Sequence, residues 1–460
     1  MKVLSFSLFC LCLALANPNI QVSLTEQTLN TALLTAYAFG LTTAHFYIGD
    51  FNYTLKMDLG DLDLRLTDIN ITSVSLNYAE SLFALESPDL ITYTIVDLEV
   101  NVTLGYDIKV ALIPFKGKAS AVVSNTNATV TVALSELQGK PQIAFKSAAL
   151  VIGDLLIETQ LPKEINDLLN DEVKKHVASL SKSLPNLLAA NEPKLNALLA
   201  SLDLVIKCPV QPFAVDLSLY SNPSVLDNST LVVGLLGTVL VEGQAVPGPT
   251  AVSMDVNAVV SEGLQVGISD YVVNAVLQPI WSTINLNVTE LPSPLGNLTT
   301  TSLALMVPQL KWKYGNAPAL LNVYTTPTSY VNYWTKAGLL NLNGSASVDF
   351  WVYTQSNWVK ALTLTMDFGV QAAAHITNNI GSATIKTVKL VKIVQANSQI
   401  GTVNTALLMN LVNSLAGAMV SELNPTLQNY VINLPDNAGD FVNTDDVKAA
   451  TGYIVVGVDV

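Results

Sequence analysis

The stretch Leu264–Leu277, LQVGISDYVVNAVL, decides the fold because it repeats Ile20–Leu33, IQVSLTEQTLNTAL, without a gap. The apolar positions of the two stretches coincide, and Asn30 falls on Asn274. Each copy predicts a short extended segment that runs into an amphipathic helix. The recurrence of this opening past the middle of the chain predicts two copies of one architecture.

The helix starts of the two copies share a capping pattern. Thr25 and Ser269 occupy the N-cap position, where a side-chain oxygen can accept a hydrogen bond from the first helical turn. Glu26 and Asp270 follow directly, and a carboxylate suits the positive end of the helix dipole. We therefore expect a helix over about residues 25–39 and a second one that ends near Pro279 or Trp281.

The segments between and after these helices show a two-residue period. Along Leu98–Val110, apolar residues alternate with polar ones, which indicates half-buried antiparallel strands. Apolar spacings of three and four predict long helices at Lys163–Lys182 and Asn404–Leu423, and Pro185 and Pro193 are expected to break or kink the chain that follows Lys182. The predicted fold class is α+β.

The charge and the apolar content of the chain bear on which partners it can bind. Charged residues make up 13% of the 460 residues, hydrophobic residues 50%, and the formal net charge is −14. The only arginine is Arg65, and arginine is the usual residue for bidentate phosphate recognition. No nucleic acid is therefore expected as a partner, while the apolar content predicts a large internal surface.

The N-terminus predicts secretion. Residues 1–16 combine Lys2, an apolar run and an Ala14-Leu15-Ala16 cleavage signal, the pattern of a secretory signal peptide. Two of the three cysteines lie in this segment, so Cys208 is predicted to be a free thiol in the mature chain. Some glycosylation is expected in a secreted chain, and the sequence has eight sequons, at Asn52, Asn70, Asn101, Asn127, Asn228, Asn287, Asn297 and Asn343.

A proline- and glycine-bearing segment divides the chain. Glu242–Pro249, EGQAVPGP, has two glycines and two prolines in eight residues and predicts a linker. The expected organisation is a signal peptide at 1–16, a first domain at 17–241, a linker at 242–253 and a second domain at 254–460.

Motifs for catalysis are missing from the sequence. It holds no G-x-S-x-G, H-E-x-x-H or G-x-x-x-x-G-K pattern, and no two of its three histidines have the helical spacing of metal ligands. Neither enzymatic activity nor a cofactor or metal is predicted. A pair of glycosidase carboxylates need not be close in the chain, so the sequence does not address that possibility.

The order of these parts resembles a known family. The segments that carry the resemblance are Asn17–Asn30, Gly267–Leu277, the closing helix running into Val431–Pro435, and the terminal Tyr453–Val460. Together they resemble the secreted two-barrel lipid-binding family of bactericidal/permeability-increasing protein, lipopolysaccharide-binding protein and the plasma phospholipid and cholesteryl ester transfer proteins. The likeness spans the whole mature chain.

This resemblance implies a boomerang of two pseudo-symmetric barrel-like domains. Each would be a twisted antiparallel sheet wrapped around long helices, joined by a central sheet, with lipid acyl chains in apolar pockets between helices and sheet. Two features depart from the family pattern. The disulfide that members often carry cannot form with Cys208 alone, and the acidic chain lacks the basic tip of endotoxin binders. Phospholipid or another neutral-headed lipid is the expected ligand, with transient contact with a membrane or lipoprotein surface.

The predicted pocket walls are apolar residues of the opening and closing helices. They are Leu29, Leu33, Val173, Val177 and Leu180 in the first half, and Val273, Leu277, Leu408, Leu411, Leu415 and Met419 in the second. Amphipathic helices normally contribute to a core, so any one of these residues can equally be plain core. Two other functions stay open at this stage: a secreted β-rich adhesion or matrix glycoprotein without ligand, and a secreted hydrolase. The oligomeric state is not predicted.

Overall fold

The structure is a computed structural model of the 460-residue chain. It describes residues 18–31, 33, 46–55, 62–110, 113–207, 213–248, 252–255, 263–291, 296–326, 328–336, 338–377, 380–427, 432–433 and 445–458. The predicted signal peptide and Cys208 lie outside the described residues.

The chain folds into two compact units. The N-terminal unit comprises Ser23–Asp203, Leu219–Val233 and the last residue, and the C-terminal unit comprises Met1–Val22, Leu204–Ser218 and Gly234–Asp459. Each unit is mostly antiparallel sheet with few helices. The α+β class predicted from the alternation of apolar residues is therefore confirmed.

The strands of the first half begin at the predicted first extended segment. They are β1 Ile20–Thr25, β2 Phe46–Leu55, β3 Leu62–Ser75, β4 Phe83–Glu86, β5 Leu90–Val110, β6 Ile113–Leu137, β7 Lys140–Val151, β8 Asp154–Thr159, β9 Val205–Lys207, β10 Phe213–Asp216, β11 Ser224–Leu226, β12 Thr230–Leu235, β13 Thr238–Val241 and β14 Gln244–Ala245. β12 and β13 are separate strands, because Gly237 has φ +58° and turns the chain between them.

The strands of the second half begin with the repeated stretch. They are β15 Leu264–Ser269, β16 Asn285–Val288, β17 Glu290–Leu291, β18 Gly296–Asn297, β19 Ala319–Tyr324, β20 Val331–Lys336, β21 Leu339–Thr354, β22 Asn357–Thr377, β23 Ile380–Ser398, β24 Ile432–Asn433, β25 Asp445–Ala449 and β26 Tyr453–Val458. In the C-terminal unit, β26 lies between β15 and β25.

The main sheets of the two units share the order of five successive strands, with a short strand paired to the third. In the N-terminal unit the order is β2-β3-β5-β6-β7, with the short strand β4 on β5 and β8 on β6. In the C-terminal unit it is β16-β19-β21-β22-β23-β24, with the short strand β20 on β21. The predicted duplication is thus confirmed by topology. Both sheets are open in the described residues, since each order has two ends.

In the described part of the chain, four helices accompany these sheets, with a further short helix at Pro308–Tyr314. The first opening helix covers residues 26–31 and 33, and the second opening helix is Asp270–Trp281. The long helix, Lys163–Ala200, packs on β7 and β8, and the closing helix, Thr405–Leu427, packs on β23.

The long helix is not broken at Pro185 or Pro193, because both lie inside it. A proline in a helix removes one backbone hydrogen bond and frees the carbonyl four residues earlier. Pro193 frees the carbonyl of Ala189, which is exposed, so water can solvate it and the helix continues to Ala200.

Each unit has a tightly packed apolar cluster on the inner face of its sheet. The N-terminal cluster consists of Tyr106, Ile108, Ala119, Ala121, Leu155 and Ile157. The C-terminal cluster is larger and includes Leu303, Val307, Leu310, Val348, Phe350, Val352, Leu362, Leu364, Leu390, Ile393 and Leu408. Side chains such as Val352 and Leu364 are fully buried there. These clusters close one part of each unit against water.

Candidate functional site

The opening helices are held to the sheets by matching asparagines. Asn274 is 3% exposed, its Nδ2 donates to the Tyr333 carbonyl at 2.7 Å, and its Oδ1 accepts from the Tyr333 amide at 2.7 Å. Asn30 makes the same pair of bonds with Phe83, at 3.0 and 2.6 Å. Each asparagine side chain therefore makes the pair of backbone hydrogen bonds that a neighbouring strand would make, with one residue of the short strand β20 or β4.

The acids at the helix starts make a second matching contact. The Leu85 amide donates to Glu26 Oε2 at 2.9 Å, and the Thr335 amide donates to Asp270 Oδ2 at 2.9 Å. In both units the acidic residue precedes the asparagine by four positions in the chain. It accepts its hydrogen bond from the strand residue that lies two positions after the one bound by the asparagine. These side chains thus fix the position of each opening helix over the inner face of its sheet.

The capping prediction holds in part. The Thr28 amide donates to Thr25 Oγ1 at 3.2 Å, which is an N-cap bond. Ser269 occupies the N-cap position but makes no side-chain cap bond, and its hydroxyl instead donates to Asn19 Oδ1 at 3.4 Å. Asp270 therefore accepts hydrogen bonds from the strand as well as lying at the positive end of the helix dipole.

The long and closing helices are attached in the same manner. Asn196 Oδ1 accepts from the Ile143 amide and its Nδ2 donates to the Ile143 carbonyl, both at 2.9 Å. In the C-terminal unit, Asn413 binds both backbone groups of Leu390 in this way. Asparagine side chains therefore attach all four helices to strands, and the attachment does not require the apolar helix faces to fill the space over the sheet.

The inner face of the N-terminal sheet changes from buried to partly exposed along its strands. Tyr106 and Ile108 are 5% and 0% exposed. Other apolar side chains on the same face are only partly buried. We call them the N-terminal open stretch, which consists of Tyr93, Ile95, Leu98, Val100 and Val130. Apolar side chains on an inner face that retain accessible surface line a space that protein atoms do not fill.

The C-terminal unit shows the same change. Val352 and Leu364 are 0% exposed at the packed end. The C-terminal open stretch, on the same face, consists of Leu340, Leu342, Val370, Ala372 and Val388, all partly buried. Cross-strand pairs Leu342–Val370 and Val370–Val388 place three of them side by side. Partly exposed apolar side chains beside a packed end of the same face are thus a shared property of both units.

The predicted wall residues fall into three groups. Leu29, Leu33, Val273, Leu277 and Leu411 are partly buried, and Leu29 contacts the apolar group around Leu85 and Leu231. Leu408 is 2% exposed and lies inside the C-terminal packed cluster, at the closed end of that space. The side chains of Val173, Val177, Leu180, Leu415 and Met419 lie outside the described residues, although their backbones belong to the long and closing helices.

Two clefts lined by described residues differ in their lining. One of about 490 Å³ lies beside Asn322, Asp349 and Lys360 in the C-terminal unit, and this lining suits water and polar solutes. The other, of about 730 Å³ in the N-terminal unit, has a mixed lining that consists of Asp68, Asn70, Thr103, Leu104, Gly105, Lys118 and Ala119.

Asp349 lies on the outer face of the sheet, yet it is only 3% exposed. Its Oδ2 lies 2.8 Å from Lys360 Nζ, and its Oδ1 accepts from the Thr363 hydroxyl at 2.6 Å. The hydrogen bond with Asp349 raises the pKa of Lys360. A buried carboxylate is tolerated here because it is paired and hydrogen-bonded.

Two titratable groups flank the second opening helix. Burial raises the pKa of Asp270, against the hydrogen bonds from Thr335, which lower it. Burial, and secondly the charge of Asp270, raise the pKa of Tyr333 far above its ordinary value. The Tyr333 hydroxyl therefore stays protonated at physiological pH and can act only as a neutral group.

The asparagines of the sequons differ in solvent exposure. Asn127, Asn228, Asn287 and Asn297 are exposed, while Asn70, Asn101 and Asn343 are partly buried. Asn52 belongs to β2, and its side chain lies outside the described part of the chain. Glycosylation at these sites stays a prediction.

A comparison with protein-family models matches residues 210–460 to the LBP / BPI / CETP family, C-terminal domain. The match spans more than half of the chain. The chain belongs to the LBP / BPI / CETP family. The resemblance inferred from the opening, closing and terminal segments is thereby confirmed.

Solved structures support the family fold. The crystal structure of lipopolysaccharide binding protein is similar with a TM-score of 0.51 at 18% identity, over 96% of this chain and 99% of that chain. The P47 proteins of Clostridium botulinum E1 and A2 also match, at 7% and 9% identity over 96% of this chain and 99% and 97% of theirs. Their TM-scores of 0.28 and 0.30 are too low to carry an argument. A comparison with curated proteins gave no match.

Membership of the LBP / BPI / CETP family supports lipid binding or lipid transfer in general, and its members are generally secreted and not typical enzymes. Among the described helices, none is long and apolar enough to cross a membrane. The described residues also contain no cluster of three or more His, Cys, Asp or Glu that could hold a metal ion. The adhesion-glycoprotein alternative gains no support from the comparisons.

Sequence reasoning missed the residues that position the helices. It aligned Asn30 with Asn274 without assigning them a role, although a polar residue at matched positions in two apolar helices was a usable signal. It also missed Tyr93 and Tyr333, because no periodicity marks a tyrosine whose hydroxyl is buried.

Proposed function

We propose that this protein carries acyl lipids in the two open stretches, one in each unit. The observation that carries the proposal is the partial exposure of apolar inner-face side chains beside fully packed clusters. An acyl chain gains roughly 0.8 kcal/mol for each methylene removed from water, but almost nothing on leaving a bilayer. A carrier therefore needs a space as apolar as the membrane, and the open stretches consist almost wholly of aliphatic and aromatic side chains.

The head group is proposed to be that of a phospholipid or another neutral-headed lipid. The chain has a formal net charge of −14 and a single arginine, so it repels polyanions overall and lacks bidentate phosphate ligands. Zwitterionic and uncharged heads avoid this repulsion.

The proposed setting is extracellular, with transient contact with a membrane or lipoprotein surface during lipid exchange. The signal-peptide pattern of residues 1–16 and the eight sequons support this setting. The two-domain division at residues 242–253 belongs to the same proposal. In the described part of that segment, Glu242 and Gly243 form the turn between β13 and β14.

The experiment is uptake of a fluorescent phosphatidylcholine from vesicles by the full-length secreted protein. Val388→Asp places a charge in the C-terminal open stretch, and Thr387→Asp places the same charge next to it on the exposed outer face. We expect Val388→Asp to reduce uptake by up to half, since the N-terminal unit is intact, while Thr387→Asp leaves it unchanged. Equal uptake by both variants, or no uptake by the wild type, would refute the proposal.

A further inference from the structure

Among the described residues, three tyrosines have a buried hydroxyl that makes no hydrogen bond: Tyr93 in the N-terminal unit, and Tyr314 and Tyr333 in the C-terminal unit. Tyr314 ends the short helix and packs against the C-terminal cluster, whereas Tyr93 and Tyr333 belong to strands beside the opening helices, and Tyr333 is 6% exposed. Leaving a buried donor unpaired costs free energy comparable to a lost hydrogen bond. The unpaired hydroxyls of Tyr93 and Tyr333 therefore need an explanation.

The two tyrosines belong to equivalent cross-strand pairs, but to different strands of the pair. Asn30 holds the backbone of Phe83, whose cross-strand partner is Tyr93. Asn274 holds the backbone of Tyr333, whose cross-strand partner is Leu342. The equivalent pair thus provides one phenol in each unit, from β5 in the first and from β20 in the second. The hydroxyl recurs at the site although the strand that supplies it differs.

Both phenols lie on the inner face beside the open stretches. Directly paired residues of neighbouring strands point to the same face. Tyr93 pairs with Val130, and Leu342, the partner of Tyr333, pairs with Val370. The Phe83 and Tyr93 ring centroids lie 4.9 Å apart, so the first phenol is set against an apolar wall. Each open stretch therefore has one of these phenols in it or next to it.

The surroundings favour a neutral acceptor on the ligand. Asp270 accepts from the Thr335 amide and hydroxyl next to Tyr333, and Glu26 accepts from Leu85 next to Phe83. A carboxylate near each phenol repels an anionic group. A carbonyl oxygen carries no charge and accepts from a protonated phenol.

We propose that the Tyr93 and Tyr333 hydroxyls each donate a hydrogen bond to an ester carbonyl oxygen of the bound lipid, so that the protein selects ester-linked over ether-linked acyl lipids. This inference rests on the proposed function, because it assigns a polar contact within the acyl-lipid sites. It goes beyond that function by naming the linkage that the protein recognises.

The test compares two phosphatidylcholines of equal chain length, one with two ester linkages and one with two ether linkages. Each is presented in vesicles as a competitor of a fluorescent phosphatidylcholine bound to the full-length protein. The wild type is expected to prefer the diester lipid by about three- to tenfold, the range of one neutral hydrogen bond. The double variant Tyr93→Phe/Tyr333→Phe should show no preference, because the ether lipid and the variant each remove one partner of the same bond.

The matched control is Tyr271→Phe. Tyr271 is 8% exposed, and its hydroxyl already donates to the Val246 carbonyl at 2.9 Å. This variant should keep the diester preference. A double variant that retains the preference, or a wild type that binds both lipids equally, would overturn the inference and leave acyl-lipid binding intact. Binding of neither lipid by the wild type would overturn the proposed function and this inference with it.

Discussion

Substituting Asn274 by alanine should destabilise the C-terminal unit by an amount that the structure allows us to estimate. The side chain pairs both the amide and the carbonyl of Tyr333, whose other edge already faces β21. Without it, two buried backbone groups lose their partners, at about 1–3 kcal/mol each, or about 2–6 kcal/mol in total. The second opening helix would also lose its main attachment to the short strand β20.

The assay is urea unfolding followed by tryptophan fluorescence. All five tryptophans, at 281, 312, 334, 351 and 358, belong to the C-terminal unit, so this signal reports that unit alone. With a urea m-value of about 3 kcal/mol/M, a loss of about 3 kcal/mol moves the midpoint down by about 1 M. Asn410→Ala, on the exposed side of the closing helix, is the control and should change stability by less than about 0.5 kcal/mol. Equal midpoints for the two variants would refute the attachment role of Asn274.

Three further outcomes are expected. Val370→Trp, in the C-terminal open stretch, should be tolerated and should block lipid uptake by that unit, whereas Val352→Trp, at 0% exposure, should destabilise the unit by about 1–3 kcal/mol through overpacking. Equal destabilisation of the two variants in thermal melts would show that the open stretch is already filled. Burial raises the pKa of Asp270 above its ordinary 3.8, so the folded state binds the proton more tightly than the unfolded state. The wild type should therefore lose stability relative to Asp270→Asn as pH rises above 3.8 through the raised pKa. A difference in melting temperature between the two proteins that does not vary with pH would contradict this. The exposed Asn127 should carry a glycan, which Asn127→Gln removes; an unchanged glycan mass would exclude that site.

The fold class and the duplication could be predicted from sequence because both rest on local periodicity. The alternation along Leu98–Val110 and the repeat of Ile20–Leu33 at Leu264–Leu277 reflect which side chains face an apolar interior, and that constraint acts on every residue of a strand or helix. The continuity of the long helix through Pro185 and Pro193 could not be predicted, because it depends on whether water reaches the freed carbonyls.

The candidate site was less accessible to sequence reasoning. An apolar helix position such as Leu408 has the same sequence signal whether it lines a lipid or fills a packed cluster, and the structure places it in the cluster. The distinction depends on the gradient of burial along the inner face, which is a tertiary property. The pairing of Asn274 with Tyr333 joins residues 59 positions apart and likewise required the fold.

The central claim is that both units hold acyl lipid, and native mass spectrometry of the untreated protein tests it most directly. The protein is secreted from a eukaryotic host, treated to remove glycans, and measured before and after organic extraction. We expect a native mass in excess of the polypeptide by up to two lipid molecules, with extractable phospholipid or other neutral-headed lipid. A native mass equal to that of the polypeptide, with no lipid in the extract, would contradict it.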